Sequence, residues 1–495
     1  MPSSAQLGRV FLSASAAVFT ALAYASALSL REYPFRLYDG DFVHPHLLLR
    51  DFASGGSIFD WSSSAALYAF PDWLFALTAL LPIDSRLAIQ LSSLILLTAL
   101  IYAGGRIVRT YMVGAATWQA AIFYGLAITG VTLIGGWPIQ WLIDYAASIY
   151  IHTGATLILL LSIPYARDLF LGRDRTRNTV VLSILCLLTT FSDPIYLVWF
   201  AGPLILTAAA TRSTASTGYA TIIAGAGILA FIAERLKPFP SAEASLFIAS
   251  PWEALEILFF QIQQGLEVNN VALIIYILAG LSAFATLVVS FWSTTRMPTE
   301  RSLQDLLLAS ATVIAILLPV VAGAIDHGSK IRYMIPIVYL APLLVLSALL
   351  FLAEGRRLQR FTPVAVGLLA LVLALYGPRF YDEIQSGQHA DLIACLDEHK
   401  LTDGHAHYDF AKAIIVLSDG RIHLSQTGYS GGINFSRRLH SHKLNGMPLV
   451  PNFVIADRLT PEELAPFGQP ASVITCADTE IWLLDTSGQA ALPIL

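Results

Sequence analysis

Long apolar runs separated by short polar connections set the pattern of this chain. They predict membrane-spanning helices near 10–30, 86–105, 112–134, 149–166, 179–191, 194–210, 218–234, 271–292, 305–324, 333–353 and 361–377. That makes about eleven crossings, at roughly 20 apolar residues per crossing and somewhat fewer for short helices inside a bundle. The two runs flanking "FSDP" are both short. In the first run, "AYASA" has the look of a signal-peptide cleavage site, but only Arg9 precedes it and the run is long enough to span, so it reads as an uncleaved helix. After Gly377 the pattern changes. "YDEIQSGQHADLIACLDEHKL" reads as an amphipathic helix, and "AIIVLSDGRIHLSQT" as two short strands around the turn "SDGR". "PNFVIADR" and "SVITCADTEIWLLD" read as further strands. The expected fold is an α-helical polytopic membrane protein, with a membrane module over 1–377 and a small α/β domain over 378–495.

Composition agrees: 56% hydrophobic against 13% charged is more apolar surface than a soluble fold can hide. A net charge of −5 with no basic run argues against a nucleic-acid partner. The absence of Walker, Rossmann and GxSxG patterns argues against ATP hydrolysis and serine-hydrolase chemistry. Cys186 lies in an apolar run. Cys395 and Cys476 fall in the polar domain, either as a disulfide or as two buried thiols. The connections also alternate in charge. One set carries Arg106, Arg109, Arg167, Arg173, Arg175, Arg177, Arg212, Arg296, Arg301, Arg356, Arg357 and Arg360. The other set, 31–85, 135–148, 235–270 and 325–332, is longer and richer in acids. The positive-inside rule puts the arginines, and the N-terminus with them, in the cytoplasm. The acidic loops and the C-terminal domain then lie outside.

Ionisable residues at membrane depth are costly and so are functional candidates. Four clusters stand out. "YDGDFVHPH", after the first run, holds Asp39, Asp41, His44 and His46 and leads into helices along the membrane surface. A carboxylate against an apolar interface can act as a base. Its bland reading is a solvated loop. "WPIQWLIDYAASIYIHTGA" holds Asp144 and His152 in an aromatic belt. Asp193 of "FSDP" precedes a proline and reads first as a helix cap. "SKIRYMIP" holds Lys330, Arg332 and Tyr333 on the side where basic residues are disfavoured, either to grip a phosphate or to snorkel to headgroups. His405 and His407 share one strand face but have nothing to close a metal set.

In their order and sidedness these motifs resemble the multi-span glycosyltransferases of the GT-C superfamily. "YDGDF" stands where that superfamily carries an acidic residue or pair in its first extracytoplasmic loop, and "KIRYMIP" resembles its late basic loop. The resemblance implies an inverting glycosyltransferase in the bacterial inner membrane. The donor would be a sugar on a polyprenyl phosphate, and the acceptor a glycolipid, polysaccharide or protein. Asp39 or Asp41 would be the catalytic base. Lys330 and Arg332 would hold the phosphate, and His44, His46, Asp144, His152 and Tyr333 would join them in substrate binding. Asp-Gly-Asp replaces the Asp-Glu frequent in members acting on aminoarabinose and mannose, which leaves open which Asp is the base. No cofactor is called for, and a divalent cation stays open. The rival reading is a transporter or lipid flippase, which would more often carry an internal repeat and broken helices.

Overall fold

The computed structural model describes residues 4–30, 38, 40–57, 66–112, 114–134, 139–148, 151–236, 250–267, 271–322, 324–325, 332–352, 358–385, 389–427 and 451–485. Asp39 and Lys330 lie outside the described residues, as do the side chains of Asp41 and Asp144.

The apolar runs fold as helices: α1 (Ser4–Leu28), α4 (Ser85–Val108), α5 (Thr117–Ile134), α7 (Thr153–Phe170), α8 (Arg175–Ser192), α9 (Gly202–Thr211), α10 (Thr214–Arg235), α12 (Val271–Arg296), α13 (Glu300–Val321), α14 (Pro336–Leu352) and α15 (Thr362–Gln385). Among the described residues, eight helices are long and apolar enough to cross a membrane; α7, α8 and α9 fall short on length or hydropathy. Shorter helices lie between them: α2 (Gly40–Ala53), α3 (Asp72–Ala76), α6 (Ile139–Ala146) and α11 (Pro251–Glu267).

Helix starts follow local chemistry. The Asp84 carboxylate accepts from the backbone N–H groups of Arg86 and Leu87, and Thr299 forms a capping box with Ser302. Small residues then let the helices close on one another. At Gly104 and Gly105 of α4 a Cβ would overlap Tyr124 and Ala121 of α5, the close approach that small residues permit in membrane bundles. The outward faces are apolar: Leu278, Leu281 and Val288 on α12, and Leu368, Leu371 and Leu375 on α15, are exposed as lipid-facing residues would be.

One end of the bundle is arginine-rich. There Arg167, at the end of α7, bonds the Thr110 hydroxyl, the Gln304 side chain, Asp168 and Glu300. The opposite end carries α2, α3, α6 and the C-terminal domain.

That domain begins with α16 (Ala390–Glu398) and continues through β1 (Asp403–His407), α17 (Tyr408–Leu417), β2 (His423–Thr427), β3 (Phe453–Ile455), α18 (Pro461–Leu464), β4 (Ser472–Cys476) and β5 (Thr479–Leu483). The sheet runs β2-β1-β3-β5-β4. The first three strands are parallel, and β3, β5 and β4 are successively antiparallel. "AIIVL", expected as a strand, is the last part of α17. A short apolar run cannot tell a strand from a buried helix, and this one is buried throughout because α17 lies between the sheet and α2. The Cys395–Cys476 disulfide ties α16 to β4.

Asp419, just past α17, fastens the domain to the bundle. Its Oδ1 accepts from Arg50 Nη1 of α2 at 2.9 Å and from the Ser85 hydroxyl at the start of α4. Burial drives the His405 imidazole down to about 3. Burial, then the charges of Arg458 and Arg86, take His389 down to about 4. Both rings stay neutral in the fold while the unfolded rings protonate below about 6.5. The domain therefore loses stability as pH falls from about 6.5 toward those values, by roughly 2 kcal/mol per histidine at pH 5. Thermal scans of the solubilised protein should show its melting temperature falling between pH 7 and 5. A transition that stays put, or moves up, contradicts this.

Candidate functional site

His152 begins α7 with a left-handed backbone, φ 67°, next to Ile151 at φ 56°. Such conformations cost about 1–3 kcal/mol each for ordinary residues and gather at functional sites. The strain turns the His152 ring toward the end of α8. Its Nδ1 lies 2.7 Å from Asp193 Oδ2, and both side chains are buried. A carboxylate only accepts, so Nδ1 donates across this contact, and in the neutral ring Nε2 then carries the lone pair. The Tyr68 hydroxyl stands 3.4 Å from Nε2. Asp193 Oδ1 is buried and accepts no hydrogen bond from the described residues. The expected capping role therefore gives way: the Asp193 side chain is committed to His152.

The rest of the wall is aromatic. Tyr68, Trp199 and Tyr333 pack around the imidazole at ring-centroid distances of 5.3, 5.7 and 5.2 Å. Tyr68 is placed by Ser192, whose carbonyl accepts from the Tyr68 N–H and whose hydroxyl accepts from the Phe70 N–H. Gly154 lets α7 start against the 71–72 turn, because a Cβ there would overlap the Asp72 carboxylate and the Pro71 ring. The Arg332 guanidinium lies 5.9 Å from the Tyr333 ring centroid, so the late basic loop reaches the same place.

The first loop adjoins it. Phe42 of α2 packs on Tyr145 of α6 at 5.9 Å, and the Tyr145 carbonyl accepts from the Thr153 hydroxyl, next to His152. The Ala146 carbonyl accepts from Tyr339 of α14, and the Ala147 carbonyl from Ser93 of α4. Segments from all four sequence clusters thus share one end of the bundle: α2 with Asp41, α6 with Asp144, the His152–Asp193 pair, and Arg332 with Tyr333. His44 and His46 are buried within α2. His46 Nε2 meets the Ser92 hydroxyl at 2.8 Å, and burial, then the Arg50 charge, holds its imidazole down to about 3. It therefore serves the packing of α2 on α4.

Beside the cluster runs an apolar cavity of about 240 Å³ between α11, α12 and α14. Leu142, Leu273, Tyr276, Met334 and Ile337 line it, so it abuts α6 through Leu142 and Tyr333 through Met334. Among the described residues no group of three or more His, Cys, Asp or Glu is placed to hold a metal ion.

The sequence placed His152 and Tyr333 together in substrate binding but left Asp193 apart as a cap, and it missed Tyr68, which nothing sets apart within the aromatic run "ALYAFPDWLF". No family model matches the chain, and no curated protein or solved structure is found to be similar to it.

Proposed function

We propose that the chain is an inverting glycosyltransferase of the bacterial plasma membrane, with about eleven crossings, a cytoplasmic N-terminus and an extracytoplasmic C-terminal domain. α8 and α9 support that crossing number, since Val180, Ile184 and Ile205 face outward as lipid-facing residues do. One observation carries the reading: a strained, buried His–Asp pair with aromatic walls adjoins the late basic loop, the first-loop helix and an apolar groove. That combination suits a ligand with a lipid tail, a phosphate and a sugar.

In this scheme the donor's polyprenyl tail lies along the groove beside Met334, and its phosphate meets Arg332 and Lys330. A first-loop carboxylate, Asp39 or Asp41, takes the proton from the acceptor hydroxyl. The hydroxyl oxygen bonds to the anomeric carbon from the face opposite the phosphate. The carbon–oxygen bond to phosphate breaks, and its electron pair leaves with the phosphate. Arginine stabilises that leaving charge through two parallel hydrogen bonds. His152 Nε2, oriented by Asp193, accepts a hydrogen bond from the sugar or the acceptor. The acceptor is a glycolipid, a polysaccharide or a protein.

The test is transfer from a lipid-linked sugar in membrane preparations. Whichever of Asp39→Asn and Asp41→Asn removes the base should slow transfer by about 10²–10⁴-fold. Undiminished transfer by both single variants and by the double variant would exclude base catalysis from this loop. Movement of the lipid-linked sugar across vesicles without transfer would assign a flippase instead.

A further inference from the structure

The arginine-rich end holds a second, larger cavity of about 1130 Å³, bounded by α1, the end of α4, the start of α5 and the end of α7. Arg9, Arg106, Arg109 and Arg167 line it, with Glu300 the one carboxylate on its wall among the described residues. That carboxylate is already committed: Glu300 meets Arg167 at 3.1 Å and Arg173 at 3.2 Å. Arg167 is likewise held, by Asp168, Thr110 and Gln304. Arg9, Arg106 and Arg109 pair with no carboxylate among the described residues. Arg106 lies inside the span Ser85–Val108, half-buried, with its guanidinium 5.6 Å from the Tyr165 ring centroid. It stands two residues from the end of that span, where a long basic side chain reaches the headgroup level. The cavity is bounded on one side by α1, where Val10, Phe11 and Leu12 are exposed. It therefore opens beside a lipid-facing surface.

We propose that this cavity is a phosphate-binding pocket separate from the His152 site, and that Arg106 and Arg109 take the phosphate headgroup of an anionic membrane lipid. Arginine suits the task because its planar donors match two phosphate oxygens at once. The flanking apolar wall of α1 accommodates the acyl chains, which a water-borne phosphate compound would not need.

The test is native mass spectrometry of the full chain released from nanodiscs containing phosphatidylglycerol and phosphatidylcholine, with inorganic phosphate as the soluble probe. Wild type should retain phosphatidylglycerol about tenfold over phosphatidylcholine. The variant Arg106→Gln/Arg109→Gln should lose that preference, while Arg177→Gln, an exposed arginine outside the cavity, keeps it. If the double Gln variant melts early, Arg106→Lys/Arg109→Lys retains the charge and should keep only part of the preference. A preference that survives the double variant, or that Arg177→Gln abolishes equally, overturns the site. Millimolar inorganic phosphate that binds and displaces phosphatidylglycerol would keep the phosphate pocket but overturn the lipid as its occupant.

Discussion

Asp193→Ala should lower stability by about 3 kcal/mol, the cost of leaving a buried partner unsatisfied. The His152 Nδ1–H would then have no acceptor in a pocket walled by Tyr68, Trp199 and Tyr333. The unfavourable backbone at Ile151 and His152 would lose the contact that offsets it. Asp193→Asn separates structure from chemistry. The amide fits the same space but can donate to Nδ1, which moves the imidazole proton to Nε2 and turns an acceptor into a donor. The Asn variant should melt within about 1–2 kcal/mol of wild type yet transfer sugar about 10–10²-fold more slowly, the cost of one unmet hydrogen bond to the reactants. Thermal unfolding in detergent alongside lipid-linked sugar transfer reads both. An Asn variant with full activity would reduce the pair to a structural clamp.

Replacing both Cys395 and Cys476 by serine should destabilise the C-terminal domain by up to about 4.5 kcal/mol. The disulfide closes a separation of 81 residues, and in the chain-entropy account a link of that length removes much freedom from the unfolded chain. It also joins the first helix of the domain to an edge strand of the sheet, elements otherwise tied through packing on the sheet's core. Limited proteolysis should find the double variant cut within the domain at protease levels that leave wild type whole. Equal resistance would mean that the sheet and its contact with α2 suffice.

The membrane helices were legible because each is a long apolar run, and length and hydropathy survive any tertiary arrangement. α7 and α8 were legible as helices although their polar content keeps them below the span criterion. Their contribution to the site sits at their ends, His152 just before α7 and Asp193 just after α8. The His152–Asp193 pair was not legible as a pair. Forty-one positions separate its members, and only the packing of α7 on α8 brings them together. Pro194 made Asp193 look like a cap, since both roles place an acid before a proline. His46 misled in the other direction. "HPH" suggested chemistry, but the helix turns its second ring onto Ser92, a partner that no local pattern marks. "AIIVL" failed because five apolar residues in a row carry no period.

Asp419 has a wider consequence. One carboxylate oxygen receives both Arg50 from the first-loop helix and Ser85 from the head of the next long helix. The C-terminal domain and the first-loop helix therefore touch directly, through this contact and through the packing of α17 on α2, with no membrane span between them. Whatever grips the domain gains a lever on the segment that bears Asp41.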